Sequence, residues 1–130
     1  MATVAYLSQE WLDRQRSLVA ALPERPGATA RVQHVIGGAP DGEVRFSLAI
    51  VDGRCTDASL GDDPAAEVTL TQTYPDALQI AQGALDANAA FMQGRVKVVG
   101  DMGKVMALMP LTDSDEYRAA LADLAAQTDY

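Results

Sequence analysis

One cysteine and one histidine are all that the sequence holds of the two residue types most used for nucleophilic and zinc chemistry. A lone Cys55 has no partner for an internal disulfide, and together with His34 it falls short of the usual four zinc ligands. Both residues sit in strand-like segments, where a small buried thiol and a hydrogen-bonded imidazole are the ordinary reading. Basic residues are also scarce. Ten Lys and Arg stand against eighteen Asp and Glu, a formal net charge of −8. Nucleic acid and anionic membrane surfaces repel such a chain, and Arg14, Arg16, Lys97 and Lys104 are too scattered to form a basic patch. No run approaches the ~20 apolar residues needed to span a bilayer, and the first residues lack the basic start and apolar run of a signal peptide. The expectation is one soluble cytoplasmic domain over residues 1–130, in a reducing compartment and without an integral membrane segment. Gly-x-Ser-x-Gly and His-Glu-x-x-His are both missing, so no enzyme, cofactor or metal is indicated.

What is present is strand and helix periodicity. Ser8 can cap a helix over residues 8–22 whose Trp11, Leu12, Leu18, Val19 and Leu22 share one side, ended by Pro23 and Pro26. Residues 31–36 read as a strand, 37–42 as a loop, and 43–51 as a second strand with Val44, Phe46, Leu48 and Ile50 facing the core. Asp52-Gly53 is a tight-turn signal, so residues 54–60 should fold back as a hairpin. A fourth strand follows over 67–73, then a helix starting near Pro75 with Leu78 on its apolar face.

The densest segment is residues 91–111. Val96 and Val98 alternate with Arg95 and Lys97 as a half-buried strand requires, and Gly94 and Gly100 bracket it. Asp101 sits where an N-cap belongs, Met102, Met106 and Met109 recur at helical spacing, and Pro110 is expected to stop the helix. A last helix, opened by Asp113 or Ser114 and running over about 114–127, carries Tyr117, Ala120, Leu121 and Leu124 along one side. That apolar edge looks too narrow for a core helix and suggests a lid. Strands in a mostly antiparallel run, with helices needing to cover one face, give an α+β layer architecture.

The stretch from Phe91 through Gly-Arg-Val-Lys-Val and Gly-Asp-Met-Gly into an apolar helix resembles the signature of the sterol carrier protein 2 domain family. The likeness continues upstream through residues 66–70, 76–85 and 88–94, while the N-terminal helix and the tail match by position and amphipathicity alone. The resemblance implies a five-stranded sheet and an apolar cavity between sheet and helices that holds a lipid. Met92, Met102, Met106 and Met109, flexible and polarizable, would then form a wall able to reshape around acyl chains. The expected lipid-binding set is Phe46, Leu48, Ile50, Leu78, Phe91, Met92, Met102, Met106, Met109, Tyr117 and Leu121. The implied function is non-enzymatic binding, with transfer of a fatty acid, fatty acyl-CoA, phospholipid or sterol-like molecule. The rival is a scaffold with a self-filled core that forms a homodimer. A third reading, a small hydrolase or isomerase, would need His34 beside Cys55.

Overall fold

The computed structural model describes residues 3–40, 42–112 and 114–129. Its elements run β1 (Val4–Ala5), α1 (Gln9–Ala20), β2 (Ala30–Ala39), β3 (Gly42–Val51), β4 (Arg54–Leu60), β5 (Val68–Thr73), α2 (Tyr74–Ala81), α3 (Ala87–Met92), β6 (Lys97–Gly100), α4 (Met102–Thr112), α5 (Asp115–Ala126) and β7 (Thr128–Asp129). The main sheet has five strands in the order β4-β3-β2-β5-β6, antiparallel throughout except for the central β2-β5 pair. The helices pack on one face of it.

Local chemistry accounts for most boundaries. Ser8 caps α1 by accepting from the Trp11 N–H, and Asp101 caps α4 by accepting from Gly103 at 2.9 Å and Lys104 at 3.3 Å. Asp52 and Gly53 both have positive φ, +49° and +83°, which matches their twist to that of β3 and β4 in a two-residue hairpin. A bulge between Ala49 and Ile50 in the β3-β4 register lets Cys55 and Ala58, three residues apart, both turn inward.

Three expectations are corrected. Gly37 and Gly38 are not a loop: β2 continues to Ala39, with the register shift between Ile36 and Ala39 absorbed where Gly38 takes φ +77°. Pro110 does not end α4, which runs to Thr112; a proline in the last turn deletes one amide donor, and the end is closed instead by Ser114, whose hydroxyl donates to the Leu111 carbonyl at 2.6 Å. Asp113, the other candidate opener of α5, lies outside the described residues. Nor is α5 too narrow for the core. Leu124 and Ala120 are buried, Leu124 belongs to the main apolar cluster, and β7 at its end pairs with β1 in parallel.

Returning from edge strand β4 to β5 requires a loop that passes β3 and β2. Buried Gln33 pins it: its Nε2 donates to the Phe46 and Gly61 carbonyls, both at 3.1 Å, and its Oε1 accepts from the Asp63 N–H at 2.7 Å. The Arg31 guanidinium, 2.8 Å from Asp63, adds a partly exposed ion pair and holds that carboxyl below the usual carboxylate range. With β5 fixed beside β2, the inward residues of adjacent strands form a continuous apolar floor under the helices.

Candidate functional site

That floor is not fully covered. Val32, His34 and Ile36 of β2 face the same way as Phe46, Leu48 and Ile50 of β3 and as Val68, Leu70 and Gln72 of β5, because successive inward positions fall two residues apart. Above them α1 contributes Trp11 and Gln15, α2 Ala77, Ile80 and Ala81, α4 Val105, Leu108, Met109 and Leu111, and α5 Tyr117, Leu121 and Leu124. Between these layers lies a cavity of about 240 Å³. Its lining among the described residues contains no Asp, Glu, Lys or Arg.

Phe46 is the centre of the sheet side. His34, opposite it on β2, stacks at 4.6 Å with rings 7° apart, and the Trp11 and Phe46 rings meet edge to face at 5.8 Å. His34 Nδ1 is enclosed without a partner, and burial lowers the imidazole pKa to about 4. Such a ring is neutral at ordinary pH. Burial likewise pushes Tyr117 up to about 12, with a smaller contribution from nearby Cys55, and the Cys55 thiol to about 11.

Of the expected set, Phe46, Leu48, Ile50, Phe91, Met109, Tyr117 and Leu121 line the cavity. Four residues do not. Met92, Met102 and Met106 are surface residues, 83%, 47% and 60% exposed. α4 turns Val105, Leu108 and Met109 inward, so the methionine stripe does not form the wall. Leu78 is half-buried and lies off the lining, since α2 presents Ala77, Ile80 and Ala81 instead. Polar lining residues outside the expected set include Tyr6, Trp11, Gln15, His34, Gln72 and Thr112. Trp11 and Gln15 do share a helix face, and Gln72 follows Val68 and Leu70 at strand spacing, so a signal existed.

His34 and Cys55 do not meet. They stand opposite Phe46 and Ile50 respectively, a separation of about 13 Å along β3 at ~3.3 Å per residue. The third reading, which required that pair, is overturned. Among the described residues no cluster of three metal-ligating side chains occurs, and no helix is long and apolar enough to cross a membrane.

A second recess lies outside the first, between α2 and α5. The two share Ile80, Ala81, Thr112, Tyr117 and Leu121, so those residues are the partition between the interior and a surface groove. On the groove side stand Gln82, Asp86 and Arg118, the last two 3.4 Å apart as an ion pair.

Residues 16–113 match the family model described as the SCP-2 sterol transfer family. No curated protein matches the chain. Among solved structures, a conserved hypothetical protein of Thermus thermophilus is similar with a TM-score of 0.75 and 15% identity, over 96% of this chain and 93% of that one. A palmitated sterol carrier protein 2-like protein of Aedes aegypti has a TM-score of 0.65 and 21% identity, over 82% of this chain and 96% of its own. A sec-alkyl sulfatase shares 32% identity at a TM-score of 0.50, over 68% of this chain but only 14% of the sulfatase.

Proposed function

Because the chain belongs to the SCP-2 sterol transfer family, we propose that it is a non-enzymatic carrier that holds the apolar part of a lipid between its sheet and helices. The carrying observation is the uncharged cavity of about 240 Å³. At ~30 Å³ for each water-sized unit it accommodates about eight heavy atoms. Eight buried methylenes at ~0.8 kcal/mol each contribute about 6 kcal/mol before ordering costs, enough for useful affinity without a headgroup motif. A longer chain would continue past Tyr117 and Leu121 into the groove beside α2. α5, on the proposed route, is the element that moves to admit it. Cys55, buried and free of any disulfide, suits a reducing cytoplasm.

The palmitate on the Aedes aegypti protein makes a fatty acyl chain the first probe. Freshly purified protein examined by native mass spectrometry should carry a lipid-sized adduct, and a fluorescent fatty acid should bind saturably. Neither adduct nor saturable binding would count against the carrier. The rival scaffold reading has one observation of its own: β6 is an edge strand whose Val99 is 68% exposed, and Met92, Met102 and Met106 are also exposed. A homodimer through that edge, seen by light scattering in protein that binds no chain, would favour it.

A further inference from the structure

The first turn of α5 carries three consecutive residues with different surroundings. Tyr117 packs against the main apolar cluster and lines both the cavity and the α2-α5 groove, so its ring is part of the wall between them. Glu116 and Arg118 lie about 100° to either side of it around the helix, and each meets a different loop. Glu116 Oε2 stands 3.3 Å from the Arg25 guanidinium, which lies between α1 and β2. Arg118 stands 3.4 Å from Asp86, between α2 and α3. The inward ring therefore has an ion pair on each flank.

Both anchors are fixed by other contacts. The Arg25 N–H donates to the Asp52 carbonyl at 2.7 Å, and the Arg25 Cβ sits so close to the β3-β4 hairpin that a Cβ added at Gly53 would lie 2.8 Å from it. Asp86 is the N-cap of α3 and accepts from the Ala89 N–H at 3.1 Å through Oδ2, while Oδ1 faces Arg118. The far half of α5 is secured differently. Ala120 and Leu124 are buried, the helix packs along α1, and β7 pairs with β1. At its start Ser114 is buried and bonded to the Leu111 carbonyl. Between these points the sideways restraints are the two ion pairs, whose side chains are 35% to 52% exposed. Pairs so exposed are individually weak and weaken further as salt rises, so they yield without unfolding the domain.

We propose that the first turn of α5 is an electrostatically held gate: the Arg25–Glu116 and Asp86–Arg118 pairs keep the Tyr117 ring between cavity and groove, and their release lets the ring swing aside for an apolar chain to pass. Buried Ser114 and Ala120 bound the moving piece. The rate of loading is then set by two surface ion pairs and by ionic strength, not by the fit of the ligand alone. What passes rests on the proposed carrier function, whereas the opening is a property of the empty protein and is measured there first.

Arg25→Gln combined with Asp86→Asn removes both pairs without altering α5, and asparagine preserves the cap of α3. Amide hydrogen exchange of the ligand-free full-length protein is followed by NMR in sodium chloride at about 20 mM and about 500 mM. The Tyr117 and Arg118 amides, which donate to Ser114, report on the turn. At low salt they should exchange about threefold faster in each single variant and about tenfold faster in the double variant. Salt should accelerate them in wild type and not in the double variant, and the Leu124 amide should be unaffected throughout. Unchanged exchange at Tyr117 and Arg118 would overturn the gate, and so would equal acceleration at Leu124, which marks a loss of global stability. Stopped-flow binding of cis-parinaric acid, a fluorescent fatty acid, then tests passage: association and release should both quicken in the double variant. Faster release alone would mean that the pairs hold ligand and would overturn gating. Failure of cis-parinaric acid to bind, with the exchange pattern as expected, would overturn the carrier reading and not the opening of the turn.

Discussion

His34→Phe should make the protein markedly more resistant to acid. The ring it replaces is stacked on Phe46 and flat against it, so phenylalanine keeps the packing while removing the titration. Burial lowers the His34 pKa from 6.5 to about 4, which means that the unfolded chain takes up a proton first as pH falls. Stability therefore does not depend on this group well above pH 6.5, declines through the window between 6.5 and about 4, and levels off below it. At about pH 4.5 the linkage relation gives a loss of about 2.5 kcal/mol relative to about pH 8, a large fraction of a small domain's stability. Among the described residues no lining carboxylate is available to rescue the imidazolium by pairing. Urea unfolding followed by Trp11 fluorescence, at several pH values for wild type and variant, isolates the effect as a difference, since carboxylate titrations are common to both. Parallel pH profiles for the two proteins, or a His34 NMR titration near pH 6.5, would refute the reasoning.

Met109→Trp, inside the cavity, should reduce fluorescent fatty-acid affinity by at least tenfold, whereas Met106→Trp on the exposed side of α4 should leave it unchanged; equal effects in the titration would mean that the lining is misassigned. Gly100→Ala should destabilise by about 2 to 4 kcal/mol in a urea melt, because φ is +123° there and an added Cβ would sit 2.4 Å from the Glu67 carbonyl oxygen. Deleting residues after position 113 removes buried Leu124 and Ala120, so the truncated protein should lose its cooperative thermal transition by circular dichroism; a well-folded truncate that releases an acyl ligand faster would show instead that α5 is a lid the rest of the fold does not need.

The sheet was legible because strand signals are local. Alternation in residues 43–51 and the Asp52-Gly53 turn identify β3, its inward face and its hairpin partner without knowledge of anything distant. α4 was not legible in the same way. Its sequence is apolar almost all round, so Met102, Met106 and Met109 and the alternative face of Val105, Leu108 and Met109 satisfy helical periodicity equally well; only packing against β2 and β5 chooses between them. The parallel β2-β5 pairing also left no local mark, since it depends on Gln33 catching a loop thirty residues downstream. Polar residues at inward positions were discounted for a different reason. Periodicity rewards apolar side chains, so Gln15, His34 and Gln72 read as interruptions of a core when they are members of the cavity lining.

The pairing of β1 with β7 places Val4 directly beside Thr128. The first and last strands of the domain thus lie side by side, held by two residues each. A domain arranged in this way can be spliced into a surface loop of another protein without stretching β1 and β7 apart, and β7 can be joined to β1 by a short glycine linker while new ends are opened elsewhere. The exposed stretch at Asp62 and Pro64 is unsuitable for such an opening because Gln33 and Arg31 hold Asp63 from two sides. The exposed turn at Gln82 to Ala84 makes backbone hydrogen bonds to Leu78, Ile80 and Gln79 of the same helix and is the better place to cut. It also borders the groove between α2 and α5, so relocating the ends there would report on whether that mouth must flex for loading.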